Sequence, residues 1–299
     1  MTRPASKPES VSRFAAELED RRRNLSPDLP YLVLDEQEAD GFGGHVSTTT
    51  IFLTASQCPI GCNMCDLHHN TLLTGTPQGA IPKQIDSAME NRHARGWIKL
   101  YNSGNFFDPN SIPPEDYKSI ADRCSDFSRV IVENHPRFGA ERLKQFRELL
   151  EVPLEVAVGL ETVQPRWLAR MGKQMVRDRF DRYARWLQEQ SVDLRVFLIV
   201  GVPGVSVMES IRWARLSVRH AVMQGARHVS LIPARAGHGW GGQANLLPDF
   251  ELSELQDLLC RSIDDVKGKA VVTVDVWDAD PLDSRLPILQ RINVTQRPQ

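Results

Sequence analysis

Long apolar runs, an excess of one charge sign and a cysteine framework are all missing from this 299-residue chain. Its most apolar stretch, Val196 to Val202, falls far short of the ~20 residues needed to cross a bilayer. Lys and Arg total 36 against 38 Asp and Glu, a formal charge of −2. No global field therefore draws the chain to a polyanion, and any RNA contact has to come from a local patch. Five cysteines are too few for a disulfide scaffold at this length. The N-terminal residues lack the apolar core of ~7–15 residues that marks a signal peptide. These absences predict a cytoplasmic protein with reduced thiols and no membrane partner. Disorder is excluded as well, because 41% hydrophobic residues supply enough apolar surface for a large core.

A rhythm of strands and helices fills most of the chain. The spacing predicts strands at Thr48–Thr54, Trp97–Asn102, Arg129–Glu133, Leu154–Leu160, Leu194–Gly201 and His228–Ile232. Helical periodicity falls between them, at Ile81–Arg95, Pro114–Cys124, Ala140–Leu150, Val176–Gln190 and Ser206–Gln224. Six alternating units predict a parallel sheet with right-handed crossovers. An α/β fold with a partial (β/α)6 TIM-like barrel over residues 46–235 is the first choice, and a doubly wound open sheet is its rival. Residues 1–45 are expected to be a polar N-terminal extension, with an amphipathic helix at Ser10–Leu25. Residues 236–299 are expected to be a C-terminal extension packed on the barrel, with a helix at Leu252–Val266 and a strand at Ala270–Trp277. In either architecture the chemistry belongs just after the strands' carboxyl ends.

The first strand runs into Cys58-Pro59-Ile60-Gly61-Cys62-Asn63-Met64-Cys65. Three thiolates spaced C-x3-C-x2-C can wrap one metal centre from a single loop. A structural zinc would need a fourth ligand, for which His68 or His69 could serve. A [4Fe–4S] cluster on three cysteines would leave one iron open to an outside ligand. Cys124 and Cys260 stand alone in helical patterns and read as packing residues.

Such a triplet after the first strand of a βα pattern resembles the radical S-adenosylmethionine (radical SAM) superfamily, over roughly residues 46–235. The resemblance implies that Cys58, Cys62 and Cys65 bind three irons of a [4Fe–4S] cluster while S-adenosylmethionine (SAM) chelates the fourth. It further implies reductive cleavage of SAM to a 5′-deoxyadenosyl radical, hydrogen abstraction from a substrate, and an electron donor such as flavodoxin or ferredoxin. Met64 stands where most members have an aromatic residue. Met64-Cys65, together with Asn102-Ser103-Gly104-Asn105, Glu133-Asn134, Gly159-Leu160-Glu161-Thr162 and Gly201-Val202-Pro203-Gly204, looks like the branch of elongator-type catalytic subunits and the archaeosine synthase radical SAM subunit.

The same resemblance distributes the cofactor contacts. Ser103, Gly104 and Asn105 follow the second strand, where backbone carbonyls would meet the methionyl amino group. Glu133 and Glu161 end strands and are expected near the ribose, and Lys173 near the cofactor carboxylate. Val202 and Pro203, with Ile232 and Pro233, would wall the adenine. The glycine-rich run Gly237 to Gly242 is no phosphate loop; it reads either as a flap carrying Trp240 over the barrel mouth or as a disordered loop. Arg166, Arg170, Arg177, Arg179, Arg182 and Arg185 concentrate charge around the fourth helix. Asp178 and Asp181 interrupt them, which favours a solvated face over an RNA site. The expected substrate is an organic molecule of small or medium size. RNA modification with a partner protein and a non-catalytic zinc barrel are the alternatives.

Overall fold

The computed structural model describes residues 19, 22–93, 96–276 and 279–297. Of the helix expected over Ser10–Leu25, residues 10–18, 20 and 21 lie outside the described residues, and Glu19, Arg22 and Arg23 are helical. Eight strands form one sheet in chain order: β1 Leu32–Ala39, β2 His45–Phe52, β3 Trp97–Tyr101, β4 Arg129–Glu133, β5 Leu154–Glu161, β6 Asp193–Val200, β7 Ala226–Pro233 and β8 Val271–Val274. β1 runs antiparallel to β2, and every later pair is parallel. The sheet curls into a nearly closed barrel, a partial TIM-like barrel as expected.

Eight α-helices accompany the strands among the described residues. They are α1 Ala80–Met89, α2 Tyr117–Arg123, α3 Ala140–Leu149, α4 Pro165–Met171, α5 Arg177–Glu189, α6 Val207–Met223, α7 Leu252–Val266 and α8 Leu286–Thr295. Side-chain alternation sorts the strands' two faces. Ile98, Leu100, Val156, Val158, Val196, Leu198, Val229 and Leu231 face outward into the core beneath the helices. Lys99, Tyr101, Glu155, Arg195, Phe197 and His228 occupy the alternate positions, inside the barrel. The rings of Tyr101 on β3 and Phe197 on β6 meet across this interior at 6.0 Å.

Two edges of the sheet differ from the sequence reading. β1 lies within the stretch expected to be a polar extension, yet its inward carboxylates, Glu36 and Glu38, pair with Lys99 and Arg195. β8, expected in an appended block, instead continues the sheet beyond β7. Helix α8, with no counterpart in the sequence reading, packs against both β8 and β1 and so covers the gap between the sheet's edges. Among the described residues no helix is long and apolar enough to cross a membrane.

Candidate functional site

The chain enters the cysteine loop from a fixed point. Beyond β2, the buried Gln84 amide on α1 accepts from Thr54 N at 2.8 Å and donates to Thr54 O at 2.9 Å. Leu72 N donates to Ala55 O at 2.9 Å, tying the loop's exit to its entry. Between them Cys58, Cys62 and Cys65 are half-buried and unbridged. Burial pushes the Cys62 thiol up to about 12 and the Cys65 thiol to about 11; neighbouring thiols add to both shifts and Lys173 opposes both. Burial also raises Cys58, against hydrogen bonds from Ile60 and Asn105.

Lys173 lies within electrostatic reach of all three sulfurs. Buried thiols that resist ionisation need a cationic group to become thiolates, which is what a metal centre supplies. No three His, Cys, Asp or Glu among the described residues converge tightly enough to clasp one ion. A cluster takes one thiolate per iron and requires only that the sulfurs surround one space. Three free cysteines are the donor chemistry such a group takes.

The turn after β3 lies against Cys58. Asn105 donates from Nδ2 to Cys58 Sγ at 3.2 Å, and its Oδ1 accepts from His135 N at 2.9 Å, which fixes the amide's orientation. Gly104 is in van der Waals range of Cys58, where a Cβ would sit 3.4 Å from Cys58 Cβ. Ser103 has a left-handed φ of 56° and a hydroxyl 3.0 Å from Tyr31 Oη. Glu133, at the end of β4, binds this turn itself: its Oε1 accepts from Asn102 N at 2.8 Å and from Gly104 N at 3.1 Å. Its carboxylate therefore shapes the turn.

Glu161 and Lys173 form a salt bridge in which both side chains are largely buried. A bulge at Gly159–Glu161 and a φ of 65° swing Glu161 inward from the end of β5. The pair rests on Gly159, where a Cβ would lie 2.1 Å from Glu161 Oε1 and 2.2 Å from Lys173 Nζ. Burial opposes the charge on Lys173, but Glu161, followed by the Cys62 sulfur, raises its pKa. His135 Nε2 lies 3.1 Å from Lys173 O. Burial and then Lys173 hold that imidazole down at about 4, so it is neutral.

The remaining expected residues divide. Ile232 and Pro233 are half-buried where β7 ends. Val202 has no exposed surface; it packs with Trp167, Met171 and Trp240 in a second apolar cluster. Trp240 is thus no flap over the mouth, because burying the indole and bonding its N–H to Arg235 O at 2.7 Å outweigh exposure. The arginine run lies partly on the outer face of α5, where Arg177 approaches Asp178 and Asp181 meets His220. Tyr31 and His135 were not anticipated, and Gly159 was read only as part of a branch motif. Only His135 left a signal, two residues after Glu133 at a strand's carboxyl end.

No family model matches the chain. An uncharacterized protein of Methanocaldococcus jannaschii is 22% identical over 147 residues, 48% of this chain and 40% of that protein. The match therefore spans well under two thirds of that relative. Among solved structures, methylornithine synthase covers 98% of this chain and 90% of its own at a TM-score of 0.53 and 14% identity. SuiB of Streptococcus suis, bound to its precursor peptide SuiA, covers 92% of this chain and 56% of its own at 0.57 and 10% identity. Native anSMEcpe with bound AdoMet and a peptide covers 77% of this chain and 64% of its own at 0.53 and 10% identity. This chain shares its fold with these three proteins.

Proposed function

We propose that this chain is a radical SAM enzyme, with a [4Fe–4S] cluster on Cys58, Cys62 and Cys65, acting on an organic molecule of small or medium size. When bound, the cluster supplies the electron that cleaves SAM to methionine and a hydrogen-abstracting 5′-deoxyadenosyl radical. The observation that carries the reading is the placement of three cysteines spaced C-x3-C-x2-C on the loop after β2, at the barrel's carboxyl end, with the turn after β3 bonded to Cys58 through Asn105.

The chain's own residues then have distinct tasks. The Asn105 amide donates to the Cys58 sulfur and disperses its charge, one of the levers that tune such centres. Glu133 holds the 102–104 turn so that its carbonyls meet the methionyl ammonium. Glu161 offers a carboxylate to the ribose hydroxyls, and Lys173 an ammonium to the cofactor carboxylate. Their salt bridge holds the two largely buried side chains against each other. Pro203, Ile232 and Pro233 flank the adenine. Val202, sealed in the apolar cluster, supports that wall from behind. A one-electron donor of the flavodoxin or ferredoxin class is the partner this chemistry requires. A small substrate over RNA is favoured by the acid-interrupted arginine face of α5.

Anaerobic reconstitution tests the reading. The protein should take up about four irons per chain. With dithionite and SAM it should release 5′-deoxyadenosine. Ala at Cys58, Cys62 or Cys65 should abolish both, while Cys124→Ala and Cys260→Ala leave both intact. A chain that keeps zinc and takes no iron overturns it.

A further inference from the structure

The segment after β7 meets the cysteine loop backbone to backbone, and none of the tasks above uses it. It reaches the cysteine loop from the far side of the sheet, since β7 stands five strands from β2. Gly237 has a φ of +53°, and a Cβ there would lie 2.4 Å from the Met64 carbonyl carbon and 2.8 Å from Asn63 O. Only glycine lets the two backbones approach so closely. His238 N donates to Asn63 O at 2.9 Å. Its ring stacks on His68 with centroids 3.8 Å apart and planes at 15°.

Trp240 adds the anchor. It is buried at a left-handed φ of 50°, a conformation that costs a bulky residue free energy and persists where its surroundings dictate it. Those surroundings include Trp167, Met171 and Val202, and Met64 packs on the same cluster. The loop's other flank is tied down too: Asn63 N donates to Met171 O at 2.9 Å, and its Nδ2 to Arg170 O at 2.7 Å. Arg170 in turn reaches Gln243 Oε1 at 2.8 Å. An aromatic ring at position 64 is a rigid plate, whereas methionine's unbranched chain fills an irregular gap.

We propose that residues Arg235 to Gln243 form a clasp that positions the cysteine loop, with Met64 as the loop's half of the contact and the His68–His238 stack closing it. The clasp rests on the cluster reading above for its purpose, but its geometry can be tested without a cluster. In cluster-free protein, the three thiols of Gly237→Ala should react with an aromatic disulfide reagent roughly fivefold faster than wild type, the scale of one hydrogen bond and its packing. In loaded, dithionite-reduced protein, the same variant should shift the cluster's electron paramagnetic resonance spectrum and lose iron faster to a chelator.

His238→Ala should move the same readouts in the same direction by less, which keeps the test open if Gly237→Ala does not fold. His238→Phe, which preserves a stacking ring and the backbone donor, should restore wild-type values. Met223→Ala, at an exposed site on α6, should change nothing. Wild-type thiol reactivity and spectra in both Gly237→Ala and His238→Ala would overturn the clasp. If the wild-type chain binds no cluster, the proposed function fails and the thiol rates alone decide this inference.

Discussion

At the amino ends of the strands, Lys99, Arg129, Arg195 and Arg227 meet Glu36, Glu38, Glu155 and Asp193 in one connected network. At the carboxyl ends, the salt bridge between Lys173 and Glu161 stands among three half-buried thiols. The floor balances four cations with four carboxylates and asks for nothing more. Glu155 alone accepts from Arg195, Arg227 and Arg129, at 2.7, 2.8 and 3.3 Å. The mouth holds three thiols that burial raises above their ordinary range. Backbone strain follows the same division. Of seven non-glycine residues with positive φ among the described residues, Ser103, Glu161, Gln174 and Trp240 lie at the mouth, and the other three end helices or follow them. A closed floor tolerates a mouth arranged for a ligand instead of for its own stability.

The largest way to break this comparison is to open the floor. Arg195→Met leaves Glu38 and Glu155 buried without their main cation, and removing one partner of such a network costs about 3–5 kcal/mol. Urea unfolding of cluster-free protein should show that loss; a change below about 1 kcal/mol would mean the floor is not self-contained. Gly159→Ala attacks the mouth instead. Its new Cβ would occupy the space of Glu161 Oε1 and Lys173 Nζ, so the pair must move. Release of 5′-deoxyadenosine should fall at least about tenfold, since displacements near 1 Å are that costly to a positioned site. Iron content should hold, and stability should change by no more than about 2 kcal/mol. Full activity in that variant would remove the pair from the site.

What the sequence made legible follows the range over which its signals act. The six inner strands carry their own apolar alternation, and the cysteine loop compresses three cysteines into eight residues, so both could be read locally. β1 could not. Glu36 and Glu38 fell within the expected polar extension because their partners, Lys99 and Arg195, lie far along the chain. Trp240 misled for a related reason: glycines on both sides suggest a free loop, while Met171 and Val202, distant in sequence, bury the ring. The Asn105–Cys58 contact sits between the two cases. The turn was identifiable from its place after a strand, but the sulfur as its target was not.

The smallest effects are slopes, and they separate the two ends by sign. Burial lifts the Glu133 carboxyl at the mouth from 4.5 to about 7, against the pull of the backbone N–H groups of Gly104, Asn102 and Ser103 and of nearby Lys173. The folded chain then keeps a proton that the unfolded chain has released between about pH 4.5 and 7. Stability owed to this residue therefore falls as pH rises through that window. His228 at the floor does the reverse. Burial, then Arg195, with Arg227 assisting and Glu38 and Glu155 opposing, holds its imidazole neutral well below the usual 6.5. Below about pH 6.5 the unfolded chain gains a proton that the folded chain refuses, so this contribution is lost as pH falls. Measured as urea midpoints of cluster-free protein from pH 4.5 to 8, Glu133→Gln should gain on wild type with rising pH and His228→Asn with falling pH. Slopes of the same sign, or a flat profile for Glu133→Gln, would mean that the floor and mouth do not differ in how they hold charge.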